Sequence, residues 1–291
     1  MYGKILVPLD GSELAEAALQ YSAVLATKLH SRIIVFSVCN EGERIERPLK
    51  LYLDKVTEDL YNQGIETISE LSYGNPADQI IDFAEKANAD LVVMSSHGHG
   101  GTSRWRFGGV SSKVMNESYI PLLLIRTSIA TTPPPVTYPT RILVPLDGSE
   151  LSEISLQHAI GLAAIGSTEI VLFRVDDPTE LDTLHHNTRS EKHTTAENRN
   201  GREQEIRDYL ARLKSDLGTE GVLVHTESTN DKPAEGIIKY AESHEISMIA
   251  ITSHGSSQQQ YWAFGSVANK VVQGTSRPIL LSRPRPCVLS P

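Results

Sequence analysis

Cysteine is scarce. Cys39 and Cys287 are the only two in 291 residues, which excludes a disulfide-built scaffold. Basic surplus is also missing: 27 Lys and Arg face 36 Asp and Glu, for a formal net charge of -9. That excludes the broad basic face of a general nucleic-acid binder. It leaves room for a small anionic ligand, because screening at physiological salt acts beyond about 8 Å. No apolar run approaches the ~18 residues of a membrane helix. The opening Met1-Tyr-Gly-Lys-Ile-Leu-Val-Pro8 enters a strand pattern at once and lacks the layout of a signal peptide. The expectation is a cytoplasmic protein whose partners include neither nucleic acid nor membrane. Several catalytic motifs are absent as well. There is no P-loop lysine motif and no Ser-Gly-Gly-x-Asp-Ser loop, and no paired general acid and base stands out. The first strand runs into Pro8-Leu9-Asp10-Gly11-Ser12 and not into the glycine triplet of a dinucleotide-binding turn.

What the chain does contain is a duplication. Lys4 to Leu14 recurs as Arg141 to Leu151 with ten of eleven residues identical at an offset of 137. Ser95 to Val114 recurs as Thr252 to Val271 with nine of twenty identical at an offset of 157. The difference, 157 − 137, places twenty extra residues in the second copy, between Val175 and Pro233. The polar stretch Asp182 to Glu203 has almost no apolar content and reads as a loop or a frayed helix start. Two copies of such a long period mean duplicated domains and not a solenoid.

Within each copy, short continuous apolar runs alternate with helical patterns. In the first these are Lys4–Leu9, Arg32–Val38, Ile65–Ser72, Leu91–Met94 and Pro121–Ile125, with helices between them. Such alternation predicts an α/β fold of two tandem doubly wound domains, each a parallel sheet with helices on both faces. The expected boundaries are 1–127 for the first domain, 128–139 for a proline-rich linker, 140–284 for the second domain and 285–291 for a tail. Pro121–Ile125 and Pro278–Ser282 read as edge strands that need cover.

In an open parallel sheet, ligands bind beyond the carboxyl ends of the strands. Pro8-Leu9-Asp10, Val38-Cys39-Asn40 and the loop from Ser95 all end there. Gly98, Gly100, Gly101, Gly108 and Gly109 let backbone amides approach a ligand, and the following helix adds its positive dipole end. Hydrogen bonds to charged groups are worth about 1.5–3 kcal/mol each, so three or four reach the ~8 kcal/mol of a micromolar site. The loops read as phosphate cradles.

These segments resemble the universal stress protein family, in a tandem form. The family's ATP-binding motif is Gly, two residues, Gly, nine residues, then Gly-Ser or Gly-Thr. The first copy gives Ser95, Ser96-His97, Gly98, nine residues, Gly108-Gly109; the second gives Thr252, Ser253-His254, Gly255, nine residues, Gly265-Ser266. Both copies lack the first glycine, the first also lacks the terminal hydroxyl, and the second has Gln258-Gln259-Gln260 in place of Gly101-Thr102-Ser103. The resemblance implies five-stranded parallel sheets of order 3-2-1-4-5, related to adenine nucleotide alpha hydrolases. It implies ATP as ligand, with Mg or Mn on the phosphates near Asp10 and Asp147. The nucleotide-contacting set it implies is Pro8, Leu9, Asp10, Val38, Met94, Ser95, His97, Gly98, Gly108, Gly109, Val110 and Ser111 in the first domain. In the second it is Pro145, Leu146, Asp147, Val175, Ile251, Thr252, Gly255, Gly265, Ser266 and Val267. Val38 and Val175 face adenine in this scheme. The last strands pair across a pseudo-two-fold, with a homodimer and a regulatory protein partner as further implied partners.

Plainer roles compete. Asp10 and Asp147 could fix turns, His97 and His254 could stabilise loops, and Trp105, Phe107, Trp262 and Phe264 could pack those loops down. His185, His186 and His193 lack the companions of a metal site. Three functions stay open on the sequence: an ATP-binding stress or regulatory module with little or no catalysis, a nucleotide-free dimerisation scaffold, and a slow ATP hydrolase.

Overall fold

The computed structural model describes residues 2–39, 46–96, 108–126, 136–177, 195–217, 221–255 and 264–285. In the first half the strands are β1 (Lys4–Pro8), β2 (Arg32–Cys39), β3 (Thr67–Tyr73), β4 (Leu91–Ser95) and β5 (Leu122–Ile125). Its helices are α1 (Glu13–Leu29), α2 (Glu46–Asn62), α3 (Pro76–Lys86) and α4 (Gly109–Glu117). The second half repeats the series as β6 (Arg141–Pro145), α5 (Glu150–Ala163), β7 (Glu169–Asp176), α6 (Thr195–Asp216), β8 (Val224–Asn230), α7 (Pro233–Ser243), β9 (Met248–Thr252), α8 (Ser266–Gly274) and β10 (Ile279–Ser282).

The strands form one sheet of order β3-β2-β1-β4-β5-β10-β9-β6-β7-β8. Each half is parallel, in the order 3-2-1-4-5. The halves join where β5 meets β10 antiparallel, Leu123 opposite Leu280. The strands that read as edges therefore lie at the centre, all buried, and the free edges of the sheet are β3 and β8. β3 alternates partly buried with exposed residues, β8 is mostly exposed after its buried Val224, and Glu70 and Glu227 keep both edges polar.

Alternate residues of every inner strand feed two cores, one on each face. Ile5, Val7, Ile33, Val35, Leu91 and Val93 pack under α1 and α2, and the same face continues under α5 and α6. Leu6, Ile34, Phe36, Val92 and Met94 pack under α3 and α4, continuing under α7 and α8. This is why the strands read as unbroken apolar runs: both faces are covered.

Local chemistry sets the helix ends. Ser12 and Ser149 cap α1 and α5, each hydroxyl accepting from an amide three residues on at 3.2 Å. Asn75 caps α3, and Pro76 fills its first turn. In the second half α6 begins at Thr195, inside the polar stretch that reads as loop or frayed helix start, and runs 22 residues against 17 for α2. Residues 195–203 are thus helical, consistent with the good helix propensity of their Glu, Arg and Ala.

Candidate functional site

The carboxyl ends of β6, β7 and β9, with the start of α8, enclose a cavity in the second half. Pro145, Leu146 and Asp147 line it from the end of β6, Val175 from β7, and Ile251, Thr252 and Gly255 from β9 and the turn after it. Gly265, Ser266 and Val267 line it from the start of α8. Phe173, Pro233, Ile237 and Ala268 supply apolar wall, while Arg174, Asp177 and Arg202 supply charge.

Two glycines are required by geometry. A Cβ on Gly265 would meet the Ser253 carbonyl oxygen at 2.8 Å, the oxygen that accepts from the Gly265 amide at 2.8 Å. A Cβ on Gly255 would overlap the Asp147 carboxylate. These contacts hold Gly255 and Gly265 close against the strand ends. The start of α8 stays open. Its N-cap is Gly265, and no side chain caps it, in contrast to α5. The first-turn amides, which lack intrahelical acceptors, are left with the dipole's positive end beside the cavity.

Asp147 fixes its turn and also lines the cavity. Its Oδ1 accepts from the Ser149 amide at 3.0 Å and from the Ser149 hydroxyl at 2.6 Å, which fixes the turn. Its Oδ2 points to Gly255 at the cavity wall. Asp10 makes the same turn with Ser12, at 3.1 and 2.6 Å. His254 is 5% exposed, and its Nδ1 lies 2.7 Å from the Ser253 hydroxyl, an arrangement that holds the loop. Phe264 packs on the core beneath α7 and α8.

In the first half, Pro8, Leu9 and Asp10 follow β1, while Met94 and Ser95 end β4. Gly108, Gly109, Val110 and Ser111 open α4. The Gly108 amide donates to the Ser96 carbonyl at 3.1 Å, repeating the Gly265–Ser253 bond. Val38 packs on the same core as Val175. Ser111 differs from the expectation of a phosphate-facing hydroxyl. It is 3% exposed, and its Oγ donates to the carbonyls of Ser96 at 2.9 Å and Gly108 at 3.1 Å. The hydroxyl is turned inward because two backbone carbonyls, one just past the end of β4 and one three residues back at the helix start, offer it acceptors there. His97 and Gly98 lie outside the described residues, as do Trp105, Phe107, Trp262, His185, His186 and His193.

Sequence reading missed the charged wall. Arg202 on α6 pairs with Asp176 at the end of β7, Nη2 to Oδ1 2.8 Å, with side chains 24% and 10% exposed. Arg174 lies against Gly148, held in the left-handed region at φ +84°, and its guanidinium carbon is 5.8 Å from the centre of the Tyr209 ring. Tyr209 is itself tied to Glu153 by a 3.0 Å hydrogen bond, repeated in the first half by Tyr52 and Glu16 at 3.2 Å. Burial, then the adjoining glutamate, pushes both tyrosine hydroxyls above their ordinary range. The repeat at offset 157 of a tyrosine in α2 and α6 is the signal that could have found this pair.

The universal stress protein family model matches residues 1–126 and 139–283. The chain belongs to the universal stress protein family. It is similar to a universal stress protein of Mycobacterium tuberculosis, 24% identical over 304 residues and matched across 96% of both chains. A Bacillus subtilis member is 30% identical over 145 residues, which is 49% of this chain and 98% of that one. Among solved structures, a universal stress protein from Archaeoglobus fulgidus superposes with a TM-score of 0.69 at 20% identity, covering 96% of each chain. That likeness concerns the fold. Among the described residues, no helix is long and apolar enough to cross a membrane.

Proposed function

We propose that this universal stress protein is an ATP-binding regulatory protein with little or no catalysis, and that its second domain holds the nucleotide. One observation carries the reading: Asp147, Val175, Gly255, Gly265 and Ser266, far apart in sequence, line one cavity at the carboxyl ends of parallel strands. The ligand's phosphates would lie at the uncapped start of α8, against the Ser266 hydroxyl and the first-turn amides. Its base would lie on the apolar wall of Val175, Phe173 and Ile237. Asp147 would face the ribose or a phosphate-bound Mg or Mn ion. Among the described residues no cluster of three or more His, Cys, Asp or Glu could hold a metal by itself, so such an ion would be carried by the phosphates, with Asp147 beside it.

The first domain is the weaker candidate for a second site. Gly109 stands where the second domain has Ser266, and the nearby Ser111 hydroxyl already donates to two backbone carbonyls. The test is release of nucleotide from the denatured purified protein together with ATP titration by calorimetry. A Kd at or below the micromolar range supports the reading. A Kd weaker than millimolar, with no nucleotide released, would favour the nucleotide-free scaffold.

A further inference from the structure

The two halves repeat their strands at the site, yet one strand end differs in chemistry on both sides of a shared valine. Ser37-Val38-Cys39 at the end of β2 becomes Arg174-Val175-Asp176 at the end of β7. Ser37 is buried, and its hydroxyl donates to the Leu9 carbonyl at 2.5 Å, so it is part of the framework. Arg174 instead lines the cavity.

Three features make Arg174 a binding group and not filler. First, it packs closely on the Asp-Gly-Ser turn. Gly148 is left-handed at φ +84°, as its equivalent Gly11 is at φ +77°, so both turns call for glycine, and a Cβ on Gly148 would meet the Arg174 Nη1 at 2.5 Å. Second, the guanidinium is supported from behind by Tyr209, whose hydroxyl is held by Glu153. Third, among the described residues no carboxylate pairs with Arg174, whereas the other cavity arginine, Arg202, is engaged by Asp176 at 2.8 Å. Arg202 acts as a positioning residue, because its bond to Asp176 holds α6, and with it Tyr209, against the end of β7.

A planar cation with forked donors matches the oxygens of a phosphate group. Gly148, on which the guanidinium packs, directly follows Asp147, whose carboxylate lies beside Gly255, and Arg174, Asp147 and Gly255 line the same cavity.

We propose that Arg174 is a specificity-determining residue of the second domain: it donates to the phosphate chain of the bound nucleotide, so that this cavity selects nucleoside polyphosphates over nucleosides. The inference rests on the nucleotide reading above and goes further by naming the group that discriminates.

The experiment is calorimetric titration of the full chain with ATP and, separately, with adenosine, for the wild type, R174S and R174K. The second-domain component is identified as the one lost in G255V. R174S should weaken ATP binding at that component by about tenfold or more, the range expected for a lost charge-assisted hydrogen bond, while adenosine binding changes less than twofold. R174K should recover only part of the loss, since a point charge replaces a fork. If R174S does not fold, R174Q, which keeps a planar head and drops the charge, carries the same comparison. Unchanged ATP binding, or an equal loss for adenosine, would overturn the inference. A wild type that binds adenosine as tightly as ATP overturns it too, and leaves the nucleotide reading standing. A wild type that binds neither removes both.

Discussion

The two domains share a framework and differ where a ligand would touch. Leu123 and Leu280 occupy equivalent places, both fully buried and facing each other across the β5–β10 seam. The Asp-Gly-Ser turns are superimposable in their bonds, with the aspartate accepting from the serine amide and hydroxyl in each half. The differences gather at three points, two in the last residues of β2 and β7 and one at a helix start: Ser37 against Arg174, Cys39 against Asp176, and Gly109 against Ser266. The exchanges come with changed local bonds: the Ser37 hydroxyl is tied to the Leu9 carbonyl in one half, and Asp176 is paired with Arg202 in the other. Divergence confined to strand ends is what unequal sites on equal scaffolds would look like.

If the frameworks are equivalent, L123A and L280A should destabilise the chain alike. Each should cost about 2–5 kcal/mol, the range for a fully buried leucine in a close-packed core. Urea denaturation measures both, and a difference above about 1 kcal/mol would show that the seam is not symmetric.

The serines should separate stability from binding. S111A removes a hydroxyl that donates to two buried carbonyls and should cost about 1 kcal/mol of stability, with little change in second-domain ATP affinity. S266A should do the reverse, leaving the melting temperature within about 2 °C and weakening ATP binding severalfold. Thermal melts and ATP titration on the same pair of variants check this directly. Equal behaviour of the two would erase the distinction drawn between the helix starts.

The smallest effect concerns pH. Tyr2, at the start of the first domain, places its hydroxyl 3.1 Å from His158 Nδ1 on α5 and 3.2 Å from the His158 carbonyl. Burial lowers the His158 pKa below its ordinary 6.5. The unfolded chain therefore takes up a proton near pH 6.5 that the folded chain takes up only at lower pH. This contribution to stability is level above that pH and declines as pH falls below it. The equivalent residue in α1 is Tyr21, which stays uncharged in this range, so the pH sensitivity belongs to one side only. H158Q should flatten the decline in a series of melts between pH 7.5 and 5.5; an unchanged slope would assign it elsewhere.

Much of the fold was legible because its signals are one-dimensional. Unbroken apolar strands, an N-cap serine after each first strand and an exact repeat are all visible along the chain. The ten second-domain residues that the family resemblance implies line one cavity at the strand ends. What the sequence hid depends on distance in space. Arg174 lies in a strand that otherwise reads as core, and nothing local shows that α6 brings Tyr209 beneath it or that Arg202 reaches Asp176. Ser111 looked like a ligand-facing hydroxyl because its position in the motif is visible while the direction of its Oγ is not. Helix 195–203 was obscured for the opposite reason: its sequence is polar and carries no apolar periodicity to mark it.

The most direct test of the central claim is ATP titration of the full chain beside G255V, in which a branched side chain would collide with the Asp147 carboxylate. A micromolar component present in the wild type and weakened at least a hundredfold in G255V, with any first-domain component unchanged, is the predicted result. ATP binding of the same strength in both proteins would contradict it.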